Sequence, residues 1–513
     1  MATTPVYRRH DPPGTALHGL VRRHLATFLD VAAERSGRPL PRYVAEEFRA
    51  YLRCGVLAHG FARARCAGCG HEVLVAFSCK LRGVCPSCGG RRMSATAAHL
   101  TDRVLPEVPL RQWVLSVPFA LRWVLARAPE ALTLVSRTFW EELRRWLRAA
   151  SHLTPGDDER VEAGAVTCVQ RFGGSLNLNV HFHVVVADGV WRCPTDGRSP
   201  RFVATVPPTR DDLAAVVTGV VRRLAHAFER RGTVSDGRGD DGDDALAGCF
   251  RAALARGSYG AVGDGGGGAP DDATEQRFER RPPKAQVAEL EGFNLHASVV
   301  IGAKDRAGRE RLLRYVARPA VVNERVTELP DGRVAYRLKM PGGRGETHRT
   351  MEPMEFMARL AALVPPPRHP LVRYHGVFAP NSPWRGAVIP TAPHAERGCP
   401  AAGKAPRRSA EREPPQGVPT LPGRLSLEGA DAFTVTDGVV VAKPPRPTTR
   451  IDWATLLHRV WGVDALKCPR CEGAMKFIAT IHDRAVTVRI LAHLRLPTDE
   501  MLPTPARRWD DTS

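Results

Sequence analysis

Two Cys-x-x-Cys knuckles, Cys66-Ala-Gly-Cys69 and Cys85-Pro-Ser-Cys88, lie near the start of a chain of 513 residues. Each knuckle turns tightly enough to aim both sulfurs at one tetrahedral ion, and the loop between them is too short to bury a core of its own. The spacing therefore predicts a structural Zn²⁺ on Cys66, Cys69, Cys85 and Cys88, with the metal supplying the stability that burial cannot. Cys54, His59, His71 and Cys79 are left over, and any of them could join a second site or replace one ligand. A further knuckle, Cys468-Pro-Arg-Cys471, stands far downstream without a second pair nearby. Completion by residues elsewhere, such as Cys399 or His458, and a vestigial pair of free thiols both remain open.

The charge balance narrows the partner. Lys and Arg number 74 against 54 Asp and Glu, a formal net charge of +20 with a sequence pI near 10.0. So strong an excess is costly unless the partner is polyanionic, and nucleic acid leads. Arginine outnumbers lysine, as suits forked hydrogen bonding to phosphate, although a GC-rich genome produces the same bias. A hydrophobic content of 43% with 25% charged residues excludes wholesale disorder. No run reaches the roughly 18 apolar residues needed to span a membrane, and the first residues do not resemble a signal peptide. The expectation is a cytoplasmic, nucleoid-associated protein whose cysteines are metal ligands or free thiols.

Periodicity predicts helices over 16–52, 129–150, 210–231 and about 306–317, and strands over 112–117, 165–172, 176–187 and 293–301. A hairpin is expected from 322–329 and 333–340 about the turn residues Pro330, Asp331 and Gly332. Composition marks an acidic, glycine-rich insertion over 233–285 and a proline-rich linker over 386–449. The expected organisation is a helical region (1–53), a zinc-binding domain (54–98), a catalytic domain in two parts (99–232 and 286–385), and a small C-terminal domain (450–513). The fold class is α+β, an antiparallel sheet with helices packed against it.

Between Asn177 and Val186 polar and apolar residues alternate, so in a strand Asn177, Asn179, His181 and His183 share one face. Same-face neighbours lie about 7 Å apart, near enough for two imidazoles to converge on one divalent cation. Two imidazoles leave coordination positions open, which suits Mg²⁺ or Mn²⁺ acting on a phosphate. His296, Asp305 and Glu310 are candidates for a third ligand. Downstream, a basic helix carries Tyr315 with Arg311, Arg314 and Arg318 three or four residues away. Those guanidinium groups could activate a phenol and hold a phosphodiester beside it; an amphipathic helix with a half-buried tyrosine has the same pattern. Arg82, Arg91 and Arg92 flank the cysteines and are candidates for phosphate contact.

His181-Phe182-His183 resembles the histidine-hydrophobic-histidine motif of HUH single-strand nucleases, and Arg314-Tyr315-Val316-Ala317-Arg318-Pro319 resembles the nucleophile helix of their rolling-circle transposase branch. The cysteine-rich region, with Phe77-Ser-Cys-Lys80 and the basic run through Met93, resembles the zinc-binding domain of IS91-type insertion-sequence transposases. Residues 112–118, 371–377 and 463–471 look familiar from the same family. The resemblance implies an HUH nuclease core in which Tyr315 attacks a phosphodiester of single-stranded DNA at an insertion-sequence end. It further implies a catalytic Mg²⁺ or Mn²⁺ on His181 and His183, a phosphate held by Arg311, Arg314 and Arg318, and a 5′-phosphotyrosine that a 3′-hydroxyl later resolves. Some relatives use two tyrosines one turn apart. Here Arg311 and Pro319 occupy those positions, so a single nucleophile is expected, with Tyr336 and Tyr374 structural or stacking on DNA. A plasmid replication initiator or relaxase-type nickase, and a catalytically decayed zinc-dependent DNA-binding protein, are the alternatives.

Overall fold

Thr15 opens the first helix by accepting a hydrogen bond from the His18 backbone N–H at 3.3 Å, and Gly37, at φ 66°, ends it. This computed structural model describes residues 11–154, 159–196, 198–231, 245–254, 287–339, 345–390, 433–436, 439–442, 453–461 and 463–506. Helix α1 (Ala16–Ser36) packs on α2 (Arg42–Arg53), with Leu20, Leu25 and Phe28 sharing a core with Val44 and Phe48. The helical reading of 16–52 thus resolves into two helices, because Gly37, Pro39 and Pro41 cannot continue one. Strands β1 (Phe61–Cys66) and β2 (Glu72–Ala76) form a hairpin. Cys85 then caps α3 (Pro86–Arg103), its Sγ accepting from the Cys88 N–H at 3.5 Å.

The catalytic-domain expectation covers β3 (Leu110–Ser116), α4 (Phe119–Arg127), α5 (Pro129–Ala150), β4 (Glu159–Glu162), β5 (Gly164–Phe172), β6 (Leu178–Ala187), β7 (Gly189–Pro194), β8 (Arg201–Ala204) and α6 (Arg210–Arg231). Beyond α6 come α7 (Ala245–Leu254), β9 (Val287–Leu290), β10 (Phe293–Ile301) and α8 (Arg306–Val316). A small sheet of β11 (Val326–Glu328), β12 (Val334–Arg337) and β13 (His348–Met351) precedes α9 (Pro353–Leu363), β14 (Val372–Gly376) and α10 (Arg385–Val388). The remaining elements are β15 (Phe433–Thr436), β16 (Val439–Ala442), α11 (Trp453–Trp461), β17 (Met475–Ile481) and α12 (Arg484–His493).

Six strands form the central sheet in the order β14-β5-β6-β3-β10-β9, and every pair in it is antiparallel. The chain is therefore a mixed helical and antiparallel-sheet protein, in line with the α+β expectation. Phe182, Val184, Trp113 and Leu115 face one core together with Phe139 and Leu143 of α5 and Leu213 of α6. Val185, Cys168 and Val166 face a second core with Leu312, Leu313 and Val316 of α8 and Ala97 and Leu100 of α3. Full burial of a side chain such as Phe182 contributes about 2 to 3 kcal/mol. The Arg111 guanidinium closes one end of the sheet, donating to both carboxylate oxygens of Asp188 at 2.9 and 2.8 Å and to the Ala297 carbonyl at 3.0 Å.

Three expectations about organisation change. Residues 245–254, inside the stretch read as a glycine-rich insertion, form α7, whose Phe250 and Ala253 are buried in the main core beside α9. Residues 232–244 and 255–286 lie outside the described residues, as do 391–432 of the expected linker. Within that linker β15 and β16 pair as a hairpin. The segment expected as a separate C-terminal domain is joined to the N-terminal module, since β17 pairs with β1 in a sheet of order β17-β1-β2. An exposed edge of a two-stranded hairpin offers unpaired backbone groups, and the chain's own C-terminal strand covers it.

At the edge of the central sheet, His375 stacks on Trp140 with ring centroids 5.1 Å apart and hydrogen-bonds Thr167 Oγ1 at 3.0 Å. Burial, with Arg373 adding to it, pushes its pKa from 6.5 to about 4. Between those values the folded chain binds fewer protons than the unfolded one, so stability is intact above pH 6.5 and is lost as the pH falls through this window. Urea midpoints measured from pH 7 to 4 should decline, with His375 contributing up to roughly 3 kcal/mol. His375→Gln should decline less steeply; an identical slope in variant and wild type would assign the acid sensitivity elsewhere.

Candidate active site and metal centres

The cysteines gather into two clusters of four, each with its ligand atoms within 4.8 Å of one another. Cys54, at the end of α2, and Cys79, after β2, join Cys85 and Cys88 at the start of α3. Their sulfurs approach to 3.7 Å (Cys54–Cys88), 3.4 Å (Cys79–Cys88) and 3.6 Å (Cys85–Cys54). A zinc ion with sulfurs at about 2.3 Å needs a tetrahedron edge of about 3.8 Å, so these thiols fit one ion with little movement. The four thiols hydrogen-bond one another, and a metal bound there would take them as thiolates.

The expected set of Cys66, Cys69, Cys85 and Cys88 is therefore not the one that assembles. Cys66 and Cys69 lie at the turn of the β1–β2 hairpin, whereas Cys54 and Cys79 flank its open end, where the Gly55 N–H donates to the Phe77 carbonyl at 2.9 Å. Strands five or six residues long hold the two ends about 17 to 20 Å apart. Cys66 and Cys69 meet Cys468 and Cys471 instead. Cys399 lies outside the described residues. Arg82 is also spoken for, donating to the carbonyls of His369 and Pro366 at 2.9 and 2.8 Å.

The alternation along β6 sets His181 and His183 on the sheet face that α8 covers, and their ring centroids are 4.8 Å apart. Tyr315, in the last turn of α8, presents its ring edge-on to His183 at 5.7 Å. The histidines are 8% and 3% exposed while the tyrosine is 39% exposed, so the phenol stands between the buried pair and solvent. Gln170 fixes the helix end, its amide donating to the carbonyls of Tyr315 and Val316 at 3.1 and 2.9 Å.

Burial, assisted by Arg318, pushes His181 down to about 4, and burial with the His181, Arg318 and Lys339 charges takes His183 well below 6.5. Both imidazoles are therefore neutral at pH 7, as ligation requires. His181 donates Nδ1–H to the Asn179 carbonyl at 3.0 Å, leaving a lone pair on Nε2. The Gln112 amide meets His183 Nδ1 at 2.7 Å, and turned so that its oxygen accepts from Nδ1–H it frees Nε2 in the same way. His183 Nε2 is buried without a hydrogen-bond partner, as are the side-chain oxygens of Asn179, Gln170 and Asn294. Register puts Gln170 opposite His181 in β5, and Asn294 opposite Ser116, itself the partner of His181 in β3. Two neutral imidazoles with amide oxygens at neighbouring register positions offer donors that could hold a divalent ion.

No third His, Cys, Asp or Glu among the described residues joins the pair. Asp305 caps α8 by accepting from Gly308 N–H at 2.7 Å, and Glu310 is held by Arg314 at 2.7 Å and Arg459 at 2.6 Å. His296 lies opposite Val114 on β3, one strand beyond the pair. Of the expected phosphate ligands, Arg318 lies over the Tyr315 ring at 5.1 Å, Arg314 is paired with Glu310, and Arg311 is exposed. Lys339, which sequence reasoning passed over, stands 4.8 Å above the same ring. Tyr336 is 1% exposed beneath Arg325 and is structural. Gln112 and Gln170 were also missed, although a glutamine within a buried apolar strand is itself a signal that something polar is being positioned.

Two families match. A family described as "Transposase zinc-binding domain" covers residues 20–117, and one described as "Putative transposase" covers residues 164–384. No curated protein and no solved structure matches the chain. The first of these segments contains Cys54, Cys79, Cys85 and Cys88, and these thiols support a structural Zn²⁺. Replacing Cys54 and Cys79 by serine should lower the zinc content by one ion per chain and lower the thermal midpoint by several degrees. Metal analysis that finds wild-type zinc in this variant would restore the Cys66, Cys69, Cys85, Cys88 grouping.

Proposed function

We propose, for a chain that belongs to the IS91-type transposases, that Tyr315 nicks single-stranded DNA at the ends of an insertion sequence and later rejoins it, supporting rolling-circle transposition. The observation that carries this reading is the edge-on approach of Tyr315 to His183 at 5.7 Å, from elements far apart in the chain. Tyr315 contributes the nucleophile: its phenol oxygen bonds to phosphorus as the bond to the 3′-oxygen of the preceding nucleotide breaks. The phenol gives up its proton and the departing 3′-oxygen takes one, leaving a 5′-phosphotyrosine and a free 3′-hydroxyl. Because the phosphoester is exchanged rather than hydrolysed, attack by a 3′-hydroxyl reverses the step and joins strands without ATP.

The cations over the phenol do the holding. Arg318 and Lys339 lie on the Tyr315 ring at 5.1 and 4.8 Å, where they can meet the oxygens of a phosphodiester presented to it. Exposed Arg311 extends the positive surface along the same helix, while Arg314 orients Glu310 and the helix itself. His181 and His183 would hold Mg²⁺ or Mn²⁺ through Nε2, and such an ion supplies Lewis-acid polarisation of the scissile phosphate. The net charge of +20 supplies the non-specific part of DNA binding and makes it salt-sensitive.

Purified protein incubated with labelled single-stranded DNA from the element's own ends, with Mg²⁺ or Mn²⁺, should form an adduct that survives a denaturing gel. Tyr315→Phe should form none, and His181→Ala with His183→Ala at least about tenfold less. Wild-type protein that binds these ends yet forms no adduct with either metal would mark a DNA-binding protein without nuclease chemistry.

A further inference from the structure

We propose that Cys66, Cys69, Cys468 and Cys471 bind a second structural zinc ion, which clasps the C-terminal segment of the chain onto its N-terminal module. The four sulfurs lie within 4.8 Å of one another, with Cys66–Cys471 at 3.5 Å and Cys69–Cys468 at 3.6 Å, close to the edge of a zinc–thiolate tetrahedron. Both distances are far longer than a sulfur–sulfur bond.

The backbone makes the same knuckle twice. Cys66 N–H donates to the His71 carbonyl at 2.8 Å, and Cys468 N–H donates to the Gly473 carbonyl, five residues on in each case, also at 2.8 Å. Gly70 N–H donates to Cys66 O at 3.2 Å, and Glu472 N–H donates to Cys468 O at 2.9 Å. The residue after the second cysteine is left-handed in both, Gly70 at φ 73° and Glu472 at φ 58°. A glutamate there costs about 1 kcal/mol or more, and the surrounding structure must enforce it. Ala67 N–H joins one knuckle to the other through the Ala474 carbonyl at 3.1 Å. A Cβ on Gly473 would come within 3.3 Å of both Cys66 and Cys471 Sγ, so the sulfurs close over a position with no side chain.

Hydrophobic burial does not hold this segment by itself. Leu466, Phe477 and Ile478 are 51%, 67% and 50% exposed, and the core shared with the N-terminal module is built on Leu57, Phe61 and Leu491. A core that small needs a staple, and two knuckles from opposite ends of the chain supply one. At the other end of the same segment, Arg459 of α11 pairs with Asp102 of α3 and with Glu310 of α8, the helix that carries Tyr315. The clasp and this ion pair together fasten α11 and residues 463–493 across the zinc module and the tyrosine helix.

Full-length protein, purified under reducing conditions without added chelator, should contain two zinc ions per chain with all-sulfur coordination by X-ray absorption. Cys468→Ser with Cys471→Ser should contain one, half the wild-type content, and backbone amides of residues 475–493 should exchange hydrogen faster while those of α1 and α2 keep their protection. One zinc in the wild type, two in the variant, or a Cys66–Cys471 disulfide in the reduced preparation would overturn the assignment. Should the variant aggregate, the wild type decides alone: release of two zinc ions to a chelator is expected, and release of one refutes the second site. None of these readouts depends on DNA cleavage.

Discussion

Strand β6 is buried on both faces, and the arrangement of the candidate active site follows from that constraint. One face of the strand packs Phe182 and Val184 into the main core, and the other turns Val185 toward α8 and α3. A polar side chain on such a strand is expensive unless its hydrogen bonds are completed inside the protein. His181 and His183 meet this demand in part, through the Asn179 carbonyl and the Gln112 amide, and keep their remaining nitrogens directed to the face where Tyr315 arrives. The same burial keeps both rings neutral. The strand thus fixes the position and the protonation state of the pair in one stroke, and α8 needs only to be docked at the correct height. Gln170, on the neighbouring strand, does the docking by binding the carbonyls that end the helix.

The N-terminal module solves a different problem. Its three short strands enclose too little apolar volume to fold by burial, and thiol clusters stand at both ends of the β1–β2 hairpin. The hairpin length keeps the clusters apart, so each draws ligands from what lies nearest to its end. At the open end these are Cys54, Cys79, Cys85 and Cys88; at the turn they are Cys66 and Cys69 with the knuckle that β17 brings alongside β1. Covering the edge of β1 with β17 and gathering four sulfurs at the turn are one event, since the register that pairs Cys66 with Met475 places Cys468 and Cys471 just beyond it.

Elements with a strong local period were legible from the sequence. The helices at 129–150 and 210–231 and the strand at 293–301 lie where periodicity put them, because each carries enough same-face apolar residues to declare its partner surface. Helix α7 was hidden inside a glycine-rich context, where a ten-residue, alanine-rich segment carries little signal until α9 is present to bury it. Strand β17 was hidden for a related reason. Its exposed Phe477 and Ile478 lack the clean alternation of a half-buried strand, and only pairing with β1 gives it a place.

The sequence by itself determined which chemical groups were available and on which face of each element they lay: the paired imidazoles of β6, the tyrosine among arginines on α8, and knuckles fit for zinc. Those properties follow from backbone geometry repeating every two or every 3.6 residues, which is local. The tertiary structure alone decided which groups meet. It set Tyr315 against His183, brought Lys339 over the phenol ring and Gln170 to the backbone carbonyls at the end of α8, and exchanged the cysteine partners so that Cys66 and Cys69 met Cys468 and Cys471 rather than Cys85 and Cys88. Ligand spacing along a chain measures only how far two sulfurs can reach, whereas the rigid length of the hairpin between them decides whether they do.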